Sequence, residues 1–383
     1  MTTQRQAYLT IDDSPSTRMD DMVDALSARG VPAIFFCRGD YLALRLESAS
    51  RAIPTQHHDG IDTAKVANLY ATWPTDLLEY VNAPIGRATP VPGPVKPLIA
   101  IPTTAGTGSE TTGVAIFDYE AMHAKTGIAH RALRPVMGIV DPDNTRTMPP
   151  MVAACSGFDV LSHAVESLTA LPYDQRPAPE SIAMRPSYQG SNPISDIWAT
   201  KAIEMMARNL QTVMEQPDDL EARGEMALAS AYAGIGFGNA GVHLPHGMSY
   251  PVSGMVREYQ PEGYDVGHPI IPHGMSVMLN APAVFRWTSQ ANPERHLLAA
   301  RLMGADVAGA APEDPGRILA DAMIALMRKT GMPNGLAAVG FEGDDIPALV
   351  AGAIPQHRVT KLSPRPASEE DLAGLFADAM RYW

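Results

Sequence analysis

The pentapeptide Pro-His-Gly-Met-Ser occurs twice in the stretch from Gly241 to Asn280, as Pro245–Ser249 and as Pro272–Ser276. A histidine between proline and glycine predicts a ring held on a turn or at the start of a helix, where the backbone is fixed and the imidazole is free to point. Because neutral imidazole is the commonest metal ligand in proteins, His246 and His273 are candidate ligands of one ion. The alternative is that both are ordinary turn or helix-start histidines without a ligand.

The composition predicts a globular protein that binds neither nucleic acid nor a membrane. The chain has 383 residues, of which 45% are hydrophobic and 19% charged, and its formal net charge is −13. An acidic chain lacks a basic footprint for nucleic acid, and no apolar run reaches the length of a membrane span. Met1–Ala7 contains no apolar segment of a signal peptide, and Cys37 and Cys155 are the only cysteines, so a cytoplasmic location is expected.

The first fifty or so residues predict a short strand-helix-strand unit. Ala7–Ile11 is an apolar strand that ends in Asp12-Asp13, and Ala33–Cys37 is a second strand. Thr10–Pro15 and the Ile-Phe-Phe run of the second strand resemble the start of the polysaccharide deacetylase family, which implies that Asp12 is a base and Asp13 a metal ligand. The His-x-x-x-His pair that this family needs is absent, and two acids at a strand end before a capped helix are the alternative interpretation. We therefore assign residues 1–53 to a deacetylase-like βαβ fragment.

The next part of the chain, residues 54–150, predicts a partial dinucleotide-binding α/β domain. Ile61–Leu69 is expected to be helical, and Leu98–Ile101 is a buried strand that runs directly into Pro102–Glu110. Small hydroxylated residues and glycines after a strand favour a phosphate cradle, because glycine lets the backbone approach and free N–H and hydroxyl groups donate to phosphate oxygens. A polar turn without a ligand is the alternative.

Two further strands and then a run of helices complete the prediction. Val114–Phe117 and Val136–Val140 are expected strands, with Lys125 between them. After Pro150 the apolar residues follow helical periodicity. The predicted helices are Met151–Ala170, Ile194–Val213, Leu220–Phe237, Pro293–Met303, Ile318–Thr330, Ile346–Ala353 and Ser368–Tyr382. The fold class is therefore an α/β N-terminal part, in which the dinucleotide-binding domain is truncated and atypical, followed by an all-α C-terminal domain over residues 151–383.

The predicted helix after Pro150 carries the residues that give the two histidines a metal site. Asp159 and His163 are four residues apart, so their side chains lie one above the other on one helix face. A carboxylate among apolar residues is costly to bury unless it is paired or binds a metal. One carboxylate with three imidazoles, from His163, His246 and His273, suits Fe²⁺ or Zn²⁺ and is a poor match to the all-oxygen shells of Mg²⁺ and Ca²⁺.

From about Ile61 to the C-terminus the sequence resembles the iron-containing (group III) alcohol dehydrogenases, and in particular their hydroxyacid-oxoacid transhydrogenase branch. The motifs that carry the family resemblance are Asp62-x-x-Lys65, Thr103–Glu110, Asp141-Pro142, Gly157-Phe-Asp159-x-x-x-His163-x-x-Glu166, Gly234-x-x-Phe237-x-Asn239, His246-Gly-Met and Pro272-His273-Gly. The branch is indicated by Thr126–Leu133 and Pro355–Pro366. The resemblance implies an enzyme that transfers hydride between an alcohol or hydroxyacid and NAD(H), acts on a small molecule and forms a homodimer.

The same resemblance implies roles for individual residues. Asp159, His163, His246 and His273 are expected to hold the metal, and Phe237 to face the nicotinamide or substrate pocket. The expected cofactor-binding residues are Asp62, Lys65, Thr103, Thr104, Gly106, Thr107 and Lys125. Tyr250 stands where many members carry a further histidine, so a phenol or water would replace that histidine in proton transfer. For an acid substrate a cation should meet the carboxylate, and the candidates are Arg257, Arg358 and Lys361.

The sequence departs from the family at one loop. Gln56–Gly60 stands where the family has Gly-Gly-Gly-Ser before Asp-x-x-Lys, and Asp59 would repel phosphate there. Impaired NAD(H) binding is therefore expected. Residues 7–37 either supply a substitute strand-helix-strand or mark a fusion that leaves a non-enzymatic metal-binding remnant, and a deacetylase-like hydrolase is a third reading.

Overall fold

The computed structural model describes residues 8–11, 60–119, 124–179, 185–264 and 266–383. These residues fall into two compact units. The first contains the described parts of Met1–Thr103 and Ser109–Thr145, and the second contains Thr104–Gly108 and the described parts of Arg146–Trp383. The predicted strand Ala33–Cys37, the paired acids Asp12-Asp13 and the loop residues Gln56–Asp59 lie outside the described residues.

The described residues of the first unit contain a parallel sheet of three strands. β1 is Tyr8–Ile11, β2 is Leu98–Ile101 and β5 is Met137–Gly138, and β2 lies between the other two. Tyr8 lies opposite Leu98 in the parallel register, which confirms both predicted strands. β5 is shorter than predicted. The residues just before and just after β5 still run beside β2. The Val136 N–H donates to the Leu98 carbonyl oxygen at 2.9 Å, and the Ile139 N–H donates to the Ala100 carbonyl oxygen at 2.9 Å.

A hairpin and a helix form a second part of the described core of this unit. β3, Val114–Tyr119, pairs antiparallel with β4, Ala124–Ala129, and both pack on α1, Gly60–Thr72, with the short α2, Leu77–Tyr80, beside them. β4 was not predicted, since Ala-Lys-Thr-Gly-Ile-Ala lacks an alternating apolar pattern. Lys125 therefore lies within a strand and not between strands.

The second unit is helical over its described residues. Its helices are α3 Pro150–Thr169, α4 Pro193–Glu215, α5 Leu220–Ala240, α6 Leu244–Gly254, α7 His273–Met278, α8 Ala281–Thr288, α9 Pro293–Leu302, α10 Pro315–Lys329, α11 Ile346–Ala353, α12 His357–Thr360 and α13 Glu369–Asp378. The side chain of the residue before the helix caps several of these helices. The Asp219 side chain accepts the Ala222 N–H at 3.0 Å at the start of α5, and the Ser368 side chain accepts the Asp371 N–H at 3.1 Å at the start of α13.

The seven long helices predicted from periodicity are present within a few residues of their expected bounds, and the fold class is confirmed. Helices α6, α7 and α8 were not predicted, because proline and glycine interrupt their sequences. In α6 and α8 a proline occupies the first turn, where its missing N–H costs nothing.

Helix α3 is the central helix of the second unit. It packs against α4, α5 and α7. Phe158, Val160 and Leu161 are fully buried, as expected of a helix surrounded by others. Yet the same helix buries Asp159, His163 and Glu166. Since an ionisable group inside a core needs a partner, these three residues mark a candidate site.

Candidate metal centre

Asp159 and three histidines converge at the centre of the second unit. Asp159 Oδ1 lies 3.7 Å from Nε2 of His163, 3.6 Å from Nε2 of His246 and 3.8 Å from Nε2 of His273. Asp159, His163 and His246 are buried, whereas 26% of the His273 side chain is exposed. The residues predicted to share one ion therefore do face one point, and the side with His273 is open.

Local sequence explains how three separate segments reach this point. Asp159 and His163 are one turn apart on α3. His246 lies in the first turn of α6, and His273 begins α7, which places both rings at helix starts. A Cβ at Gly274 would overlap the Cys155 carbonyl oxygen and lie 2.9 Å from Asp159 Cβ, so only glycine lets α7 come this close to α3.

The donor set fits a divalent transition metal. Among the described residues, Asp159 Oδ1 and His246 Nε2 are buried without a hydrogen-bond partner, which is costly unless another group satisfies them. One ligand atom each from Asp159, His163 and His246 can be chosen so that all lie within 4.8 Å of one another. A carboxylate with imidazoles suits Fe²⁺ or Zn²⁺, and an ion bound by these residues would satisfy the orphaned atoms.

Glu166 supports the cluster from behind His246, a contact that sequence reasoning did not predict. Its Oε1 lies 2.6 Å from His246 Nδ1, and its Oε2 accepts the backbone N–H of His243 at 2.6 Å. With Nδ1–H donating to the carboxylate, the Nε2 lone pair of His246 is free to face the cluster. The available signal was spacing: Glu166 follows Asp159 by two helical turns on the same face of α3.

The charges of the cluster are strongly coupled. Burial alone would raise the pKa of Asp159, but His163, His273 and His246 lower it well below its ordinary value. Burial lowers the pKa of His163 to about 4. Burial also acts to lower the pKa of His246, but Glu166 and Asp159 outweigh it and raise that pKa to about 9. Asp159 is therefore ionised, and a metal bound at His246 would have to displace a proton from the ring.

A wall of aromatic rings extends from the cluster. Phe237 stacks on His163 with ring centroids 4.0 Å apart, and Tyr188 meets Phe237 edge-on at 6.5 Å. The guanidinium carbon of Arg358 lies 5.2 Å from the Tyr188 ring centroid, and Arg358 Nη2 donates to Tyr250 Oη at 3.0 Å. We call Phe237, Tyr188, Arg358 and Tyr250 the aromatic wall. It brings together the predicted residues Phe237 and Tyr250 with Arg358.

The loop Thr104–Gly108 belongs to the same unit as the cluster. A Cβ at Gly106 would lie 3.0 Å from Ser156 Cβ, and Gly108 has a φ of +59° and room for no Cβ against Gly234. A backbone interaction with Gly106 acts to raise the pKa of His163. These glycines therefore allow the loop to pack closely against helices α3 and α5, a role that is separate from letting the backbone approach a phosphate. Thr104 and Thr107 are partly exposed on this loop.

Comparison with known proteins identifies the family. The model of the "Fe-containing alcohol dehydrogenase family, C-terminal" matches residues 187–380, and the model "Iron-containing alcohol dehydrogenase" matches residues 59–142. The mitochondrial hydroxyacid-oxoacid transhydrogenase of Bos taurus is 59% identical over 325 residues, which cover 84% of this chain and 70% of the relative. The chain belongs to the iron-containing alcohol dehydrogenase family.

Other relatives agree with this membership. The mitochondrial hydroxyacid-oxoacid transhydrogenase of Homo sapiens is 58% identical over 84% of this chain and 70% of its own length. A crystal structure of a 1,3-propanediol oxidoreductase superposes with a TM-score of 0.78 at 26% identity, covering 98% of this chain and 92% of the other. As a member of the iron-containing alcohol dehydrogenases, the protein is a metal-dependent oxidoreductase. The family implies a divalent metal and NAD(H), and a small-molecule substrate fits the relatives.

The predicted cofactor residues of the first unit have protein partners in this iron-containing alcohol dehydrogenase. The buried Lys65 ammonium donates to Ser109 Oγ at 2.6 Å and to the Val114 carbonyl oxygen at 2.7 Å, and it lies 3.3 Å from Asp62. Asp62 also accepts the Ile116 N–H at 2.8 Å. The pair therefore ties α1 to β3, and its role in cofactor binding remains a prediction.

The other two cofactor residues of that unit differ in their surroundings. Lys125 is buried in β4, where its backbone pairs with that of Asp118. Thr103 Oγ1 is buried without a hydrogen-bond partner among the described residues, which leaves it able to donate to a ligand. For these residues too the cofactor role remains a prediction.

The expected cytoplasmic location is wrong. The curated relatives are named as mitochondrial proteins, which contradicts the cytoplasmic location expected from composition. A low cysteine count indicates reducing conditions, and composition does not tell one reducing compartment from another. The family models and relatives named above do not support the deacetylase resemblance, and Asp12 and Asp13 lie outside the described part of the chain. Among the described helices, none is long and apolar enough to cross a membrane.

Proposed function

We propose that this iron-containing alcohol dehydrogenase transfers hydride between a hydroxyacid and an oxoacid through bound NAD(H), with a divalent metal held by Asp159, His163, His246 and His273. The observation that carries the proposal is the convergence of these side chains, with Asp159 Oδ1 and His246 Nε2 buried and without hydrogen-bond partners in the described part of the chain. The relatives named hydroxyacid-oxoacid transhydrogenase support the substrate class.

The metal and the protein contribute differently to the reaction. A divalent ion bound here supplies Lewis acidity, which lowers the pKa of a substrate hydroxyl or polarises a carbonyl. Asp159 contributes the negative charge that retains the ion. Glu166 fixes the orientation and tautomer of His246 through the 2.6 Å contact at Nδ1. The partly exposed His273 marks the side on which a substrate enters.

Phe237 and Tyr250 shape the substrate side of the site. Phe237 covers the face of His163 at 4.0 Å and excludes water from it. Burial raises the pKa of Tyr250 above its ordinary value, so its phenol stays protonated at neutral pH. Tyr250 therefore acts as a hydrogen-bond donor that holds a proton at Oη, and not as a base. It accepts from Arg358 while its own hydrogen remains available to substrate.

For the cofactor, Thr103, Thr104, Gly106 and Thr107 are the residues we propose to line its phosphates. Backbone N–H groups and hydroxyls after a strand suit this task.

A second candidate function is a metal-binding protein that has lost its dehydrogenase activity. It is favoured by the sequence Gln56–Asp59, which stands where the family has a glycine loop.

The test measures metal, cofactor and turnover separately. Each of His246→Ala and His273→Ala should lower the metal content after loading with Fe²⁺ or Zn²⁺ and abolish hydride transfer, because each removes one ligand of the cluster. The matched control is His357→Ala, which removes an exposed histidine. Metal is measured by elemental analysis, NADH by fluorescence titration, and turnover with hydroxyacid and oxoacid pairs.

The outcomes separate the two candidate functions. Both ligand variants keeping full metal content and turnover would refute the proposed metal site. A wild-type chain that binds metal but shows no saturable NADH binding would support the second candidate.

A further inference from the structure

Arg358 carries a charge for which the described part of the protein provides no counter-charge. Its Nη2 donates to Tyr250 Oη at 3.0 Å, and its Nη1 is buried with no hydrogen-bond partner. No carboxylate of the described residues forms an ion pair with it. A buried guanidinium without a carboxylate is costly, because the charge has lost water and gained no full replacement.

Two other arginines of the same unit show what a carboxylate partner provides. Arg295 binds both oxygens of Asp196 at 2.9 and 3.0 Å, and Arg257 binds Asp345 at the surface, with one contact of 3.2 Å. Lys361, the third cation considered from sequence, is exposed. Of the three candidate cations for a substrate carboxylate, Arg358 alone has a buried nitrogen, Nη1, without a hydrogen-bond partner in the described part of the chain.

The position of Arg358 is set by close packing beside the metal cluster. A Cβ at Gly247 would lie 2.6 Å from Thr360 Cγ2, so the glycine after His246 lets α12 come close to α6. Tyr250, which receives the hydrogen bond of Arg358, follows His246 by one helical turn, a rise of about 6 Å. On the other side, the guanidinium meets Tyr188, which leads through Phe237 to His163. The aromatic wall therefore has a metal ligand at one end and a cation at the other.

We propose that Arg358 is the anchor for the carboxylate of the substrate, with Nη1 donating to one carboxylate oxygen. The proposal rests on the proposed function, since it assumes that the substrate hydroxyl lies at the metal cluster. Tyr250 Oη, which already accepts from Nη2, directs its own hydrogen to the second carboxylate oxygen. A planar guanidinium is suited to this fork-like recognition, and lysine is not an equivalent replacement. The consequence is selectivity for hydroxyacids over alcohols that lack a carboxylate.

The test compares two substrate series that differ in one group. The first contains hydroxyacids of increasing chain length, and the second contains alcohols with a methyl group in place of the carboxylate. The measured quantity is the ratio of kcat/KM for each acid to that for its matching alcohol. Arg358→Met should lower this ratio by about 10- to 100-fold, as expected for the loss of charged hydrogen bonds, and Arg358→Lys should recover part of it.

Lys361→Met is the matched control, because it removes an exposed positive charge three residues away. Its acid-to-alcohol ratio should stay near the wild-type value. Circular dichroism checks the fold of each variant. If Arg358→Met does not fold, Arg358→Lys serves instead, since it keeps the charge and loses the planar fork. An unchanged ratio in a folded Arg358 variant would overturn the proposal.

A binding measurement separates this proposal from the proposed function. Butanoate, a carboxylate that cannot donate hydride, is titrated calorimetrically into the metal-loaded wild type and the Arg358 variants. If no hydroxyacid or alcohol is turned over, the proposed function fails. The anchor is then judged by binding alone: weaker butanoate binding in the variants supports it, and equal binding, or no binding to the wild type, overturns it.

Discussion

At the scale of single residues, Glu166 decides which nitrogen of His246 faces Asp159 and the other two histidines. The carboxylate lies 2.6 Å from His246 Nδ1 and also accepts the N–H of His243. Because Glu166 is fully buried, water cannot replace it. A carboxylate can only accept, so the ring nitrogen beside it has to be the donor.

Replacing Glu166 by glutamine is therefore expected to weaken metal binding without unfolding the protein. The amide oxygen can still accept the backbone N–H of His243, but the amide group then donates toward His246 Nδ1. This moves the ring hydrogen to Nε2, where it blocks ligation. We expect a loss of about 10- to 100-fold in Zn²⁺ affinity for Glu166→Gln, measured by competition with a chelating dye.

Stability and Zn²⁺ affinity together separate an orienting role of Glu166 from a purely structural one. Melting temperatures of the metal-free proteins serve as the control, since a purely structural Glu166 would lower stability and leave Zn²⁺ affinity unchanged. Affinity equal to that of the wild type in Glu166→Gln would contradict the orienting role.

Only some residues of the candidate site could be predicted from the sequence alone. The four residues at the cluster were predictable because spacing places Asp159 and His163 on one helix face and the Pro-His-Gly repeat places two rings at helix starts. The contact between Arg358 and Tyr250 was not predictable, since it joins segments 108 residues apart in the chain. Sequence listed Arg358 only as one of three cations, and burial distinguished it from the others.

At the scale of elements, the meeting of α3 and α7 depends on one glycine. A Cβ at Gly274 would overlap the carbonyl oxygen of Cys155, within the backbone of α3. That overlap cannot be relieved by rotating a side chain. Any larger residue must push the two helices apart, and His273 moves with α7.

Gly274→Ala is expected to destabilise the protein by about 1–3 kcal/mol and to reduce metal affinity, through overpacking at this contact. The matched control is Gly374→Ala in α13, where an added Cβ meets nothing within 4 Å. There alanine should stabilise by about 0.4–1 kcal/mol, because it reduces the conformational freedom of the unfolded chain. Urea unfolding and Zn²⁺ titration check both variants. Similar unfolding midpoints in the two would contradict the proposed overlap.

Elements were predictable where periodicity was long and unbroken. The helices α3, α4 and α5 gave clear patterns, and their bounds agree with the structure within a few residues. The helix that carries His246 contains prolines and glycines, and the helix that begins at His273 has only six residues with a glycine among them, so local propensity argued against both. Tertiary packing stabilises these two helices, and sequence could predict only that their histidines begin a turn or helix.

At the scale of the whole molecule, a metal bound at the cluster should stabilise the protein. An ion that binds the folded chain and not the unfolded one adds about 2.7 kcal/mol at a concentration one hundred times its Kd. We expect Zn²⁺ to raise the Tm by several degrees and a chelator to reverse the rise. Differential scanning calorimetry measures both.

Asp159→Asn is the control for this effect, since it keeps the shape of the side chain and removes the charge that retains the ion. Its Tm should not respond to Zn²⁺ or to the chelator. An equal response in Asp159→Asn and the wild type would show that the stabilising ion binds elsewhere.

The placement of Thr104–Gly108 in the second unit also restricts how such a protein can be reshuffled in evolution. The loop lies between two stretches of the first unit in the chain, yet its glycines are shaped to Ser156 and Gly234. A single crossover between residues 109 and 145 would join a loop from one parent to helices from another. A crossover before residue 60 would pass both on together. A recombinant of the first kind is therefore expected to lose the fit of Gly106 to Ser156 and of Gly108 to Gly234 when its two parents differ at these contacts.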